Sequence, residues 1–273
     1  MKLITTTDTH YGHSSRTHRV HEKFLLRLKR KCEEENIDAL LHAGDWISCE
    51  QHQLPRTWKM FREIFGPDFP ILSVIGNHDI WNQEIFSTSI RQRVWAKLPG
   101  LTSYAAIKSQ HEKWAKEYNI HLLEGNPYET DTVIIYGFNG WYYYFSSESS
   151  DANSIPRMHE SSPLQPFLSW EATNEFGAVS EMAKYEKKKK ILVSHMPPYT
   201  QELERLTERM CANPKMLPYI IKDFDVFCFG HTHFTTNKIL EHGNSGCRFI
   251  NAGTDWDQHS CGYDKPKYLI FEV

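Results

Sequence analysis

The chain has 273 residues, 40% hydrophobic and 13% aromatic, enough to bury a full core close to the upper size limit of one compact domain. A formal charge of −3 and a pI near 6.6 leave no broad basic field, so obligatory binding to long nucleic acid is disfavoured. No stretch approaches eighteen apolar residues, and the start MKLITTTDTH lacks a basic segment followed by an apolar run, so the expectation is a cytoplasmic protein without membrane contact.

In chain order, short β-branched or apolar runs recur at residues 2–7, 38–43, 70–75, 132–137, 191–194, 225–229, 248–251 and 268–272, and each reads as a buried strand. Between the first two, Val20, Phe24, Leu25, Leu28 and Cys32 fall on one helical face with Lys, Arg and Glu between them. Residues 202–211 are a second helix candidate. Strands alternating with helices argue an α/β architecture around a largely central sheet. Residues 141–190 break the rhythm: they open with the aromatic cluster Trp141 to Phe145, are rich in Ser and Pro, and predict a lid-like excursion containing a helix from about Gln165 to Tyr185. The lysines at 187–190 then read as a solvated turn closing that helix. Six scattered cysteines without a CxxC pair fit reduced thiols better than a disulfide frame.

The chemistry lies just past the strand ends. Asp8 and His10 follow the first run, Asp45 the second, and Asn77, His78 and Asp79 the third. His195 follows ILVS, and His231 with His233 follows DVFCFG. Ligands in open α/β sheets bind beyond the carboxyl ends of the strands, so these side chains can converge across more than two hundred residues of sequence. Carboxylate, imidazole and amide oxygen form a mixed N/O donor set that suits Mn, Fe, Zn, Ni or Co. Seven such donors are too many for one tetrahedral ion, whereas two ions roughly 3.5–4 Å apart can share a carboxylate. Gly44, Gly76 and Gly230 immediately precede the clusters, where a Cβ would obstruct a sharp turn.

The segments D-T-H (Asp8 to His10), G-D (Gly44, Asp45), G-N-H-D (Gly76 to Asp79), S-H-M-P-P (Ser194 to Pro198) and G-H-T-H (Gly230 to His233) occur in order, each after an expected strand. With them the chain resembles the calcineurin-like metallophosphoesterase superfamily, in wording closest to its cyclic-nucleotide phosphodiesterase-like branch. The resemblance implies a sandwich of two β-sheets flanked by helices, with a dinuclear site at one end. It implies one ion on Asp8, His10, Asp45 and His233 and another on Asp45, Asn77, His195 and His231, with Asp45 bridging. It further implies attack on phosphorus by a metal-bridging hydroxide, with His78 stabilising charge or protonating the leaving oxygen. Ser48 stands where the Ser/Thr protein phosphatase branch carries a second acid, which counts against that branch's His-Asp dyad. Asp79 is an alternative partner to orient His78.

Secondary candidates line the same region. His13 and Arg16 lie after the first motif, where a substrate phosphate can approach, and Asn139 with Trp141 follow the strand ending in YGF. The aromatic cluster can stack a nucleobase. The expected activity is a metal-dependent phosphodiesterase or phosphomonoesterase on a small or nucleotide-like substrate. A nuclease of the same superfamily and a catalytically silent metal-binding scaffold are the alternatives. His42, His52, His111, His121, His159, His242 and His259 read as structural.

Overall fold

The computed structural model describes residues 1–11, 15–47, 51–80, 104–140, 164–203, 211–257 and 263–273. All eight expected runs are strands. Four of them, with one short addition, build the first sheet: β1 (Lys2–Thr6), β2 (Ala39–Ala43), β3 (Ile71–Val74), β4 (His121–Leu122) and, at the chain's end, β13 (Leu269–Glu272). Its order is β13-β1-β2-β3-β4, parallel except for β13. The second sheet has the order β5-β6-β7-β8-β10-β9, from β5 (Tyr128–Glu129), β6 (Val133–Phe138), β7 (Lys189–Ser194), β8 (Val226–Phe229), β9 (Thr236–His242) and β10 (Ser245–Asn251). Here β6, β7, β8 and β10 run parallel, and β5 and β9 are antiparallel edges. A separate antiparallel pair joins β11 (Thr254–Asp257) to β12 (Tyr263–Pro266). The single central sheet suggested by the alternation of elements is thus divided in two, as the family resemblance implied.

Strand alternation explains the layers. Leu3, Leu41 and Val74 from the first sheet cluster with Val133, Ile135, Val193 and Cys228 from the second, forming the core between sheets. Their neighbours Ile4, Leu40, Ile134, Leu192 and Phe227 face outward and pack with the helices. Two-sided burial is why these strands read as continuous apolar runs.

Helix α1 (Ser15–Glu34) buries Phe24, Leu25, Leu28 and Cys32 of the expected stripe, the Val20 side chain lying outside the described residues, and its exposed side carries i,i+4 ion pairs such as Lys29–Glu33. Helix α2 (Leu54–Phe65) buries Trp58, Phe61 and Phe65 and ends at Gly66, whose φ of 84° suits a glycine. His42 stacks on Trp46 with centroids 3.6 Å apart, and its Nε2 lies 3.2 Å from the Thr9 hydroxyl, a structural histidine as expected. Among the described residues two helices follow in this half, α3 (Asn77–Ile80) and α4 (Tyr104–Glu117).

The helix expected from Gln165 is α5 (Leu164–Tyr185), burying Ala172, Phe176, Val179 and Ala183 along one stripe. The lysine run is not simply its closing turn. Lys189 and Lys190 already belong to β7, and the Lys190 N–H donates to Asp225 at 2.8 Å. Of the helix expected over 202–211, the ends at 201–203 and 211 are not helical, and 204–210 lie outside the described residues. Helix α6 (Leu217–Asp223) leads into β8. Among the described residues no helix is long and apolar enough to cross a membrane.

His111 of α4 is 2% exposed, and burial lowers its pKa to about 4. The unfolded chain, with an ordinary histidine, therefore binds a proton between about pH 4 and 6.5 that the native state refuses. Stability falls as pH drops through that window and is unaffected above it. At pH 5 the loss is about 2 kcal/mol. Replacing the ring by a non-titrating group, His111→Gln, should shrink the difference between urea midpoints at pH 7 and pH 5. An unchanged difference would remove His111 from the acid response.

Candidate metal centre

The parallel strands of both sheets end at one place. Asp8 and His10 lie just beyond β1, Asp45 beyond β2, Asn77 and His78 at the start of α3 after β3, His195 beyond β7, and His231 and His233 beyond β8. Backbone contacts lock these turns together. The amide of His231 donates to both Asp8 carboxylate oxygens at 3.1 Å, and that of His78 donates to Asp45 Oδ1 at 2.9 Å.

The side chains form three groups whose donor atoms lie within 4.8 Å of one another: Asp8, His10 and His233; Asp45, His195 and His231; and His10, Asp45 and His78. Asn77 Oδ1 joins the second group, 2.9 Å from His195 Nε2 and 3.2 Å from His231 Nδ1. Asp45 Oδ2 is central, 3.3 Å from His195 Nε2, 3.8 Å from His10 Nε2 and 3.9 Å from His78 Nε2. His233 Nε2 is 3.6 Å from Asp8 Oδ1. The separations of 3.6–3.9 Å are too long for hydrogen bonds. They match the spacing of about 3–4 Å between two donors that each sit about 2.1 Å from a shared ion.

Electrostatics point the same way. Asp8 and Asp45 are 0% and 1% exposed, and isolated carboxylates so placed are costly without a counter-charge. Burial raises the pKa of Asp8. The same burial acts on Asp45 but is outweighed by His195, His78 and His10, which hold it well below the usual carboxylate range. Burial also opposes charge on His195, yet Asp45 and Asp8 lift its pKa to about 9. Its Nδ1 lies 2.7 Å from the Ala43 carbonyl, which can only accept, so Nδ1 carries the proton and Nε2 points its lone pair or second proton at Asp45 and Asn77. Donor types, spacing and buried negative charge all fit divalent cations.

The backbone is strained to achieve this. Among the described residues seven non-glycines have positive φ, and five of them are Asp8, His10, Asp45, His231 and His233. The preceding glycines act in two ways. Gly44 takes φ 83°, but Gly230 is needed for room: a Cβ there would meet Thr7 Oγ1, the Ala43 carbonyl and His195 Nδ1. Gly230→Ala should therefore lower stability by about 3 kcal/mol, the upper part of the overpacking range, because one obstacle is backbone. Gly177→Ala, in an open stretch of α5, is the control and should raise stability by about 0.5–1 kcal/mol. Thermal melts of both compare the effects, and an unchanged midpoint for Gly230→Ala would refute the crowding argument.

Asn139 is buried at the end of β6, its N–H donating to Glu175 at 3.0 Å, and Gly140 abuts Ser194 and Met196 on either side of His195. His13, Ser48 and Trp141 with its aromatic neighbours lie outside the described residues, as does the Arg16 side chain. Asp79 does not orient His78. Its carboxylate accepts the N–H groups of Ile47 at 3.1 Å and Gly76 at 2.9 Å, tying the turn after β2 to the turn after β3. Sequence adjacency hid that role because the partner loop is over thirty residues away.

The family model for calcineurin-like phosphoesterases matches residues 1–234. The chain belongs to that family. As a calcineurin-like phosphoesterase it is a metal-binding phosphoric ester hydrolase, and members of the family typically bind two divalent ions. Among solved structures, TT1561 of Thermus thermophilus is similar in fold, with a TM-score of 0.54 and 13% identity, covering 92% of this chain and 88% of that one. The NAD nucleotidase NadN of Haemophilus influenzae matches at a TM-score of 0.49 and 10% identity, covering 100% of this chain, which spans about half (47%) of that one. No curated protein matches the phosphoesterase significantly.

Proposed function

We propose that this phosphoesterase hydrolyses a small phosphate ester, a nucleotide among the candidates, with one metal ion held by Asp8, His10, Asp45 and His233 and a second by Asp45, Asn77, His195 and His231. The observation that carries the reading is the central position of Asp45 Oδ2, within 3.9 Å of imidazoles from both groups, which suits a bridging carboxylate. When bound, the ions supply an acidified water as nucleophile and positive charge against the phosphoryl oxygens. The chain's own groups do the rest. Ala43 fixes the His195 ring through Nδ1, the His78 amide orients Asp45, and the His78 ring, 26% exposed at the edge of the cluster, delivers a proton to the leaving oxygen.

A small substrate is supported by the acidic charge balance, which gives no broad positive field to attract a long polyanion. Manganese is the first metal to try from a donor set that also accepts Fe, Zn, Ni or Co. Cys32, Cys228 and Cys247 are buried thiols outside any disulfide, in keeping with a cytoplasmic setting. We take the chain as one domain over 1–273; of the lid expected at about 141–190, α5 instead packs on the core and Lys189 and Lys190 belong to β7, while 141–163 lie outside the described residues.

The test is a stripped protein reloaded with Mn and assayed on para-nitrophenyl phosphate, the bis ester and a cyclic nucleotide. Turnover should vanish on chelation and return with Mn, and the preferred ester divides monoesterase from diesterase. No turnover with any metal, despite two bound ions per chain, would reject a general hydrolase in favour of a silent scaffold.

A further inference from the structure

Beside the metal centre lies a small, partly open cavity of about 30 Å³, room for a few heavy atoms of a ligand rather than a whole molecule. Its apolar lining comes from Ile75 and Ile80, which flank the Asn77–His78 turn, and from Ile107 and Leu122. Asn139 also lines it, next to the Gly140 that abuts the His195 segment. The cavity thus borders the segments that carry Asn77, His78 and His195, on the side of the second donor group.

Its polar groups are out of balance. The Lys108 ammonium is engaged, 2.7 Å from Glu175 Oε1 and 4.0 Å from Glu171 Oε1, and Glu175 also accepts the Asn139 N–H. Glu124 Oε1 accepts the Ile75 N–H at 2.7 Å. Its second oxygen, and Nε2 of His111, are buried without a hydrogen-bond partner among the described residues. Of the charged groups on the lining, the carboxyls of Glu112 and Glu124 outnumber the one ammonium, which Glu175 and Glu171 already engage. Burial raises Glu124 to about 7 and lowers His111 to about 4. Near neutral pH the imidazole is therefore uncharged and offers a lone pair at Nε2 in its Nδ1–H tautomer, while the carboxyl can ionise beside an arriving cation. Two buried acceptors in an apolar-walled, negatively charged cavity lack a donor that carries positive charge.

We propose that this cavity receives a cationic amino group on the organic arm of the phosphate ester, so that the substrates are amino-bearing phosphate esters. This specificity rests on the hydrolase reading above, with the phosphate at the metal centre and the amine between Glu124 and His111.

The Mn-loaded protein is given para-nitrophenyl 2-aminoethyl phosphate and its near-isostere para-nitrophenyl propyl phosphate. A charge-assisted hydrogen bond predicts about a tenfold higher kcat/KM for the amino ester. Thermal shift with 2-aminoethyl phosphate against propyl phosphate reads binding without turnover, and the amine should again give the larger shift. Glu124→Gln keeps an oxygen for the Ile75 N–H but loses the charge, and the ratio should fall to about one. Ile107→Trp fills the cavity while leaving the polar groups in place and should act alike. Equal rates and shifts for the two esters in the unmodified protein, or a preference surviving both variants, would overturn the proposal. An amine-dependent shift without turnover of either ester supports the cavity assignment and counts against the hydrolase reading alone.

Discussion

Asp45→Asn should reduce kcat by about 10³-fold or more while leaving the chain folded. The amide keeps an oxygen where Asp45 Oδ1 accepts the His78 N–H, so the tie between the turns after β2 and β3 survives. What is lost is the negative charge of Oδ2, the atom that faces His10, His78 and His195 together. With Asp8 the only other carboxylate in the three donor groups, the substitution removes one of two charges that compensate bound cations. Metal content by elemental analysis should fall from two ions per chain to one or fewer. Turnover within tenfold of the unmodified protein, with both ions retained, would remove Asp45 from the bridging role.

Much of this site is legible in the sequence because each candidate ligand sits a few residues beyond an apolar run, and such runs become parallel strands whose carboxyl ends gather. Most of the eight runs were findable because burial on both faces leaves no polar alternation to confuse them, β13 with one buried residue being the exception. β9 is the opposite case: of its seven residues only Leu240 is buried, so an edge strand facing solvent carries no hydrophobic signal. Its one clue is the Gly243-Asn244 pair, which joins β9 to β10 as a two-residue hairpin loop with Ser245 opposite His242. The groups that frame the neighbouring cavity left no trace either. Lys108, Glu124 and Glu175 come from α4, the β4–β5 connection and α5, and as single charged residues they are indistinguishable from solvated ones until the fold turns them inward. Positive φ at Asp8, His10 and Asp45 was likewise invisible, since strain arises only when the turn is pinned from both sides.

His78→Ala should lower kcat by about 10²- to 10⁴-fold, the span of general acid–base catalysis, and leave both ions bound. The geometry makes this a sharp test, because His78 stands in two relationships at once. Its ring belongs to a group with His10 and Asp45 that has metal-ligand spacing, and it meets the His10 ring edge-on with centroids 4.6 Å apart. Yet its side chain is 26% exposed, against 0% for His195 and 12% for His10. A ligand between two ions is expected to be enclosed, whereas a proton donor must reach a leaving group that departs toward solvent. The Asp45 contact made by the His78 backbone survives the alanine, so the variant isolates the ring. Loss of rate with two ions retained, larger for an alkyl leaving group than for para-nitrophenolate, which needs no proton, places the ring at the leaving oxygen. Loss of one ion in step with the rate would instead make His78 a ligand and move the proton to another donor.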